Sequence, residues 1–271
     1  MLRDVSYFYS PVSNLYDSIL TLIYPQACQI CAKSVEKQAD GYICRECWKD
    51  TQFFNGNETL CNKCGAFLLD TPTNFETFCR RCDDDFYDKA NAIGKYEKAL
   101  LVTILNLKHT PFVPKTLSDL FFQTFLDSDF QDSSIIIPVP LSPKRLAERG
   151  FNQAELLAEK LSKQTELTFD KISLRRKLHI EKRRAGMDRK SRLESVKNAF
   201  EVVSPRLIEG NKILLIDDVF TSGATVSNCA KALKKAGAEK VFVLTVARAY
   251  GRALWTRNHL PPGDLVDIDE Q

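Results

Sequence analysis

The chain has 271 residues, 44% of them hydrophobic and 27% charged, which is typical of a globular protein and excludes a mostly disordered chain. Its 38 basic and 35 acidic residues leave a net charge of only +3, so overall charge does not predict a polyanionic partner. The length predicts about two domains, and the unusual feature of the composition is its nine cysteines.

The most apolar stretch near the N-terminus covers residues 15–24 and ends before Pro25. It is much shorter than the ~20 apolar residues of a membrane-spanning helix, and it lacks the basic lead and cleavage site of a signal peptide. We therefore expect a cytoplasmic protein with no membrane span. Apolar residues at helical spacing predict a short amphipathic helix within residues 1–25; they are Leu15, Ile19 and Leu22.

Eight of the cysteines form four CxxC pairs. A CxxC turn directs two thiolates at one point, and two such turns complete the tetrahedral shell of a structural zinc ion. The alternatives are a disulfide scaffold or redox-active CxxC pairs. Because disulfides are rare in the cytoplasm and the four pairs are regularly spaced, zinc binding is the stronger interpretation. The pattern predicts a double zinc ribbon over residues 26–88 with two zinc ions. Its predicted ligands are Cys28, Cys31, Cys44, Cys47, Cys61, Cys64, Cys79 and Cys82.

The spacing of the pairs favours a sequential arrangement, in which the first and second pairs share one ion and the third and fourth share the other. A cross-braced arrangement stays open, because spacing alone does not exclude it. Short zinc modules have little core, so metal binding is expected to supply much of their folding free energy. The ninth cysteine, Cys229, lies in a helical pattern and is predicted to be a buried apolar residue.

Residues 89–250 alternate apolar runs of strand length with stretches of helical periodicity. This alternation predicts an α/β domain with a parallel, Rossmann-like sheet that is covered on both faces. The segment after it, residues 251–271, is acidic and is predicted to be a flexible tail. The predicted helices cover residues 96–107, 117–126, 144–162 with a break at Gly150, and 225–235; the predicted strands cover 134–139, 212–216 and 241–246.

Residues 213–225 read ILLIDDVFTSGAT, an apolar strand followed by two acids, a small polar loop and a helix. At the carboxyl edge of a parallel sheet, such a loop and the following helix N-terminus form an anion site suited to a phosphate. Glycine allows the backbone a close approach, and hydroxyl groups add donors. The loop lacks the lysine of a Walker motif. Its residues are Thr221, Ser222, Gly223, Ala224 and Thr225.

Asp217 and Asp218 lie beside this predicted phosphate loop. Carboxylates repel phosphate, so we expect them to face ribose hydroxyl groups or a magnesium ion bound through water. The alternative is that both acids only cap the following turn. The co-occurrence of an acid pair, a hydroxyl-rich loop and a helix start favours the ligand-binding interpretation.

The segment IDDVFTSGAT resembles the phosphoribosyl-pyrophosphate signature of type I phosphoribosyltransferases. The resemblance implies that Asp217 and Asp218 hold the ribose hydroxyls and that residues 221–225 bind the 5′-phosphate. Residues 138–158, PVPLSPKRLAERGFNQAELLA, resemble a segment of ComF proteins, whose most recognisable part matches RGFNQ from Arg149 onward. The cysteine-rich N-terminus followed by such a domain is also similar to the ComF/GntX architecture. ComF proteins usually have threonine at the position of Ser222, which keeps the hydroxyl.

A basic segment, residues 171–192, contains ten basic and two acidic residues and so carries a charge of about +8. Three interpretations stay open: a solvated loop, a surface for the pyrophosphate of a substrate, or a surface for a nucleic-acid backbone. Phosphoribosyltransferases often have a mobile loop at this place in the chain. The segment is larger than one pyrophosphate requires, which keeps nucleic acid in consideration.

The resemblance implies binding of phosphoribosyl pyrophosphate with magnesium and transfer of its ribose 5-phosphate to a nucleophile. It also implies a link to DNA uptake or DNA utilisation, with single-stranded DNA and a DNA-uptake helicase as candidate partners. Three hypotheses compete: an active phosphoribosyltransferase, a non-catalytic binding factor, and a zinc-dependent single-stranded DNA-binding accessory factor. Lys144, Arg145 and Arg149 are candidates for the leaving group, and His109 and His179 are candidates by residue type alone.

Overall fold

The structure is a computed structural model that describes residues 26–69, 71–177 and 199–249. The predicted N-terminal helix, the predicted acidic tail and residues 178–192 of the basic segment lie outside these ranges. Within them, no helix is long and apolar enough to cross a membrane.

The cysteine-rich region consists of short elements around two cysteine clusters. The first half contains a 3-10 turn, Gln38–Asp40, and helix α1, Arg45–Lys49. The second half contains the antiparallel strands β1, Thr59–Leu60, and β2, Phe67–Leu69, and a 3-10 turn, Arg80–Cys82. So few regular elements leave little room for a core of its own.

Five parallel strands form the central sheet of the second part, in the order β3-β9-β8-β4-β5. The predicted parallel sheet is therefore present. Strand β3 was not predicted, because its sequence KANAIGK is rich in small residues and has little of the β-branched character typical of strands. The strands are β3, Lys89–Lys95; β4, Ile135–Pro138; β5, Thr168–Phe169; β8, Lys212–Phe220; and β9, Lys240–Arg248.

The predicted helices are confirmed with shifts of one or two residues at their ends. The stretch 144–162 divides at Gly150, which adopts φ of 78° and ends the first helix in a left-handed cap. The helices are α2, Lys98–Leu107; α3, Lys115–Leu126; α4, Pro143–Arg149; α5, Gln153–Ser162; α6, Pro205–Ile208; and α7, Ala224–Lys235.

Alternate residues of the central strands enter two cores on opposite faces of the sheet, as the period of two in a strand requires. Leu214 and Ile216 belong to the core that includes α2, α3 and α5 and the buried cysteines Cys28 and Cys44. Ile213 and Leu215 belong to the core that includes α7 and the buried cysteines Cys61, Cys64 and Cys82. Each half of the cysteine-rich region is thus part of the core on one sheet face.

A short antiparallel hairpin of β6, Leu174–Arg176, and β7, Phe200–Val202, flanks residues 178–198. Leu174 and Phe200 are buried in the same core as α7. The hairpin therefore packs against α7, and residues 178–198 connect its two strands.

Candidate functional site

A pocket opens at the carboxyl edge of the central sheet, where β4 and β8 end and where α5 and α7 begin. About 490 Å³ of empty space lies within this cleft, and that volume includes space open to solvent. Its wall is polar and strongly charged. The charged and amide residues in that wall are Arg145, Arg149, Asn152, Gln153, Arg176, Asp217 and Asp218.

The two adjacent acids lie inside strand β8, because the strand continues as far as Phe220. The predicted end at residue 216 was therefore wrong. The continuation is stabilised by pairing with β9, in which Asp217 lies opposite Thr245. Acidic residues are rare within strands, and no pattern in the chain pointed to that partner.

Side-chain oxygens of both acids accept hydrogen bonds from the backbone of β8. The Asp218 N–H donates to Asp217 Oδ1 at 2.9 Å, and the Val219 N–H donates to Asp218 Oδ1 at 2.8 Å. Each of these two bonds uses one oxygen of a carboxylate, and the side chains of Asp217 and Asp218 also contact each other. Burial raises the pKa of Asp217, and the neighbouring charge of Asp218 raises it further.

The predicted phosphate loop connects β8 to α7 and runs past the pocket to Thr225, which is part of the wall. The Ala224 N–H donates weakly to Ser222 Oγ at 3.4 Å, while the N–H groups of Gly223 and Thr225 have no acceptor in the described chain. These free donors and the N-terminus of a 12-residue helix make the loop suitable for an anion. Thr221 is half-buried, and Ser222 and Ala224 are exposed.

Gly223 has a structural reason to be glycine that the sequence did not suggest. Its φ is 83°, and a Cβ atom there would lie 2.8 Å from Phe220 Cζ. The close approach is therefore to the ring of Phe220, whereas the sequence interpretation assigned it to the ligand.

Three arginines face the acids across the pocket. Arg145 and Arg149 lie on α4, and Arg176 lies on β6 at the start of the basic segment. Burial lowers the pKa of Arg149 and of Arg176, and the nearby charge of Arg145 lowers both further. Three like charges held this close favour a multiply charged anion between them. Lys144 is exposed and is not part of the wall.

Three residues of the RGFNQ sequence are part of the pocket wall: Arg149, Asn152 and Gln153. Asn152 caps α5 by accepting from the Ala154 N–H at 3.1 Å and donates to the Val139 carbonyl at 3.0 Å. Gln153 is only 2% exposed, and its Nε2 has no hydrogen-bond partner in the described chain. A buried amide donor of this kind is costly unless a ligand or water accepts from it.

Lys108, which follows α2, is not part of the pocket wall but interacts electrostatically with Asp218, and the sequence interpretation missed it. Burial lowers the pKa of its ammonium group, while the charge of Asp218 opposes that change. Nothing near Lys108 in the chain has the form of a motif, so only the fold brings it near the acids. His109 is exposed and is not part of the pocket wall, and His179 lies outside the described residues.

The eight predicted zinc ligands form two tetrads that join consecutive CxxC pairs, which is the sequential arrangement. All candidate ligand atoms of each tetrad lie within 4.8 Å of one another. Sulfur–sulfur distances include 3.7 Å for Cys28–Cys47 and 3.5 Å for Cys64–Cys79. A zinc ion with ~2.3 Å bonds to four sulfurs places them about 3.8 Å apart in a tetrahedron, so both tetrads fit zinc. Cys229 is separate and fully buried.

Comparison with known families gives the class of protein that the fold and the pocket define. Residues 19–85 match the double zinc ribbon domain, and residues 146–258 match the phosphoribosyl transferase domain. The chain is thus a double zinc ribbon joined to a phosphoribosyltransferase-type α/β domain.

Curated relatives narrow this class. The chain is 30% identical to Competence protein F of Haemophilus influenzae, over 76% of this chain and 90% of that protein. It is 28% identical to the DNA utilization protein YhgH of Escherichia coli, over 84% of this chain and 99% of that protein. The chain therefore belongs to the ComF family.

Solved structures are more distant. A hypoxanthine phosphoribosyltransferase from Staphylococcus aureus has 13% identity and a TM-score of 0.31, over 56% of this chain and 75% of that one. A similarity of this size supports no statement about function.

Proposed function

We propose that the pocket binds phosphoribosyl pyrophosphate and that the protein transfers its ribose 5-phosphate to a nucleophile. The observation that carries this proposal is that one pocket is lined by Asp217 and Asp218, by Thr225 at the end of the predicted phosphate loop, and by three arginines. Neutral ribose hydroxyls suit the acids, and the two ends of the ligand, both anionic, suit the two positive sides of the pocket.

The chain's own residues would act mainly by positioning and by charge stabilisation. Asp217 and Asp218 would accept hydrogen bonds from the 2′- and 3′-hydroxyls, while residues 221–225 would donate to the 5′-phosphate. The bond from C1 to the pyrophosphate oxygen breaks, the pyrophosphate keeps the electron pair, and the nucleophile then bonds to C1. Arg145 and Arg149 would stabilise the departing charge, and the buried Gln153 amide is a further donor within the same pocket.

Magnesium suits the chemistry of this site, because carboxylate oxygens are the hard ligands that it prefers and Asp217 and Asp218 place two carboxylates in the pocket wall. When bound, it would neutralise part of the pyrophosphate charge. Positioning of the ribose and of the 5′-phosphate would be the work of the side chains and backbone of this protein.

Turnover is tested by magnesium-dependent release of pyrophosphate in the presence of a panel of nucleobases and amines. The double variant Asp217→Asn with Asp218→Asn is expected to lower the rate at least ~100-fold, since interactions of this kind supply several kcal/mol. The matched control changes two exposed acids before β4, Asp127→Asn with Asp129→Asn, and is expected to keep the wild-type rate. Binding without release would instead support a non-catalytic binding factor.

A role in DNA uptake or DNA utilisation is the second proposal, and two observations favour it. Relatives named Competence protein F and DNA utilization protein YhgH cover most of this chain. The basic segment, residues 171–192, also carries more positive charge than one pyrophosphate requires. Single-stranded DNA is the proposed partner, because such a segment can follow a phosphate backbone.

This second proposal predicts binding of single-stranded DNA that weakens steeply as salt increases. Replacing Arg183 and Arg184 by Gln is expected to reduce affinity and to lower the salt slope by about 1.4, since each neutralised phosphate of a single strand contributes about 0.7. Replacing Arg80 and Arg81 by Gln, an exposed arginine pair of the second ribbon, is the matched comparison. Equal reductions in both variants would instead favour zinc ribbons that contact DNA directly, and an unchanged salt slope in both would contradict the proposal.

A further inference from the structure

The second cysteine tetrad is connected to the phosphate loop through one arginine. Arg248 is the last residue of β9, and its Nη2 donates to Cys64 Sγ at 3.4 Å. The same guanidinium lies over the ring of Phe220, with Cζ 4.0 Å from the ring centroid. Its Nη1 is buried and has no hydrogen-bond partner in the described residues. The sulfur and the aromatic ring are therefore the contacts that hold this charge in place.

Phe220 in turn determines the geometry of the loop. It is the last residue of β8, and its ring would be 2.8 Å from a Cβ atom at Gly223. Tyr87 packs edge-on against it at 5.7 Å and donates from its hydroxyl to Asp85 at 2.7 Å. The ring of Phe220 is thus packed against Arg248, against Tyr87 and against the turn at Gly223.

Metal-bound thiolates are strong, charged acceptors, and four of them around one Zn²⁺ leave a net charge of about −2. A free thiol is a weak acceptor. Arg248 therefore has a strong partner only while the tetrad is loaded, and groups that donate to metal ligands also tighten metal binding. The first tetrad belongs to the core on the opposite face of the sheet, as the burial of Cys28 and Cys44 there shows.

We propose that Arg248 and Phe220 couple zinc binding at the second tetrad to anion binding at the phosphate loop. Loading the tetrad with zinc fixes Arg248, Arg248 fixes the ring of Phe220, and the ring holds the loop that leads to Thr225 in the pocket wall. This coupling rests on the proposed function, because it assigns a regulator to that same phosphate site. Coupling of this kind is reciprocal, so a bound sugar phosphate must also retain the zinc of the second tetrad.

The experiment uses the full zinc-loaded chain and ribose 5-phosphate as the probe. Zinc transfer to a chromophoric chelator is followed with and without the probe, and affinity for the probe is measured by calorimetry. In the wild type, the probe is expected to slow the release of one of the two zinc equivalents several-fold and to leave the other unchanged. If the probe changes the release rate of neither zinc equivalent, the coupling is overturned.

Three variants test which residues connect the second tetrad to the phosphate loop. Arg248→Met is expected to release one zinc equivalent several-fold faster without any probe and to weaken probe binding about tenfold. Phe220→Leu keeps the Arg248–Cys64 contact, so it is expected to weaken probe binding while zinc release stays close to wild type. Arg206→Met, an exposed arginine of α6, is the control and should change neither measurement.

The two proposals fail in different ways. If the wild type binds no ribose 5-phosphate, the proposed function fails and the coupling fails with it. If the wild type binds the probe and Arg248→Met has wild-type affinity and wild-type zinc release, only the coupling fails. Faster zinc release in Arg248→Met together with weaker probe binding supports both.

Discussion

Asp217 is a carboxyl group at a position where a negative charge is costly. It lies beside a second acid, and burial raises its pKa above the ordinary value for aspartate. Such an arrangement weakens the fold, and perturbed acids of this kind concentrate at functional sites. The cost is consistent with a ligand that donates hydrogen bonds to the carboxylate or neutralises it.

The raised pKa of Asp217 gives a prediction for stability. Between the pKa of the unfolded chain and the higher pKa of the folded protein, the folded state binds more protons, so stability falls as pH rises through this window. Asp217→Asn keeps an oxygen that accepts from the Asp218 N–H but carries no charge. We expect this variant to be more stable than the wild type at neutral pH and to lose that advantage near pH 4. Urea unfolding across this pH range measures the difference, and a variant less stable at every pH would contradict the electrostatic explanation.

Residues that belong to compact motifs could be predicted from the sequence. The eight cysteines and the Asp217–Asp218 pair have neighbours in the chain that identify their chemistry. Lys108 and Arg176 have no such neighbours, because the fold brings Arg176 into the pocket wall and Lys108 close enough to interact with Asp218. Arg248 could not have been predicted for the same reason, since its partner Cys64 lies 184 positions earlier in the chain.

At the scale of elements, the pocket depends on the junction between β8 and α7. The strand ends in Phe220, the chain turns at Gly223 with positive φ, and the helix begins at Ala224. Apolar periodicity predicted the helix and the apolar half of the strand. It did not predict residues 217–220 of β8, which begin with two acids and are stabilised as a strand by pairing with β9.

Gly223→Ala tests this junction. A side chain at φ of 83° costs about 1–2 kcal/mol in the backbone, and the new Cβ must also displace the Phe220 ring. We expect a decrease in stability of about 2–4 kcal/mol and weaker binding of ribose 5-phosphate. Gly210→Ala is the matched control, because its φ is 72° and a Cβ there meets nothing within 4 Å. Equal decreases in the two variants, measured by denaturant unfolding, would show that the proximity of Phe220 does not matter.

At the scale of the whole molecule, the cysteine-rich region is integrated with the α/β domain. The buried cysteines of its two halves belong to cores on opposite faces of one sheet. Strand β3 follows the second half directly, and the Ala90 N–H donates to the Lys63 carbonyl at 2.7 Å, between the CxxC turn and the sheet edge. Both parts could be predicted from the sequence. This hydrogen bond could not, because it joins segments that have no common pattern.

Calorimetric titration of the zinc-loaded protein with phosphoribosyl pyrophosphate and Mg²⁺ tests the proposed ligand site most directly. We expect saturable binding at one site per chain. We also expect affinity to fall at least about tenfold in Asp217→Asn with Asp218→Asn, which corresponds to ~1.4 kcal/mol of binding free energy, and to stay unchanged in the Asp127→Asn with Asp129→Asn control. No saturable heat from the folded wild-type protein at high ligand concentration, or equal affinity in the two double variants, would contradict the assignment of this pocket.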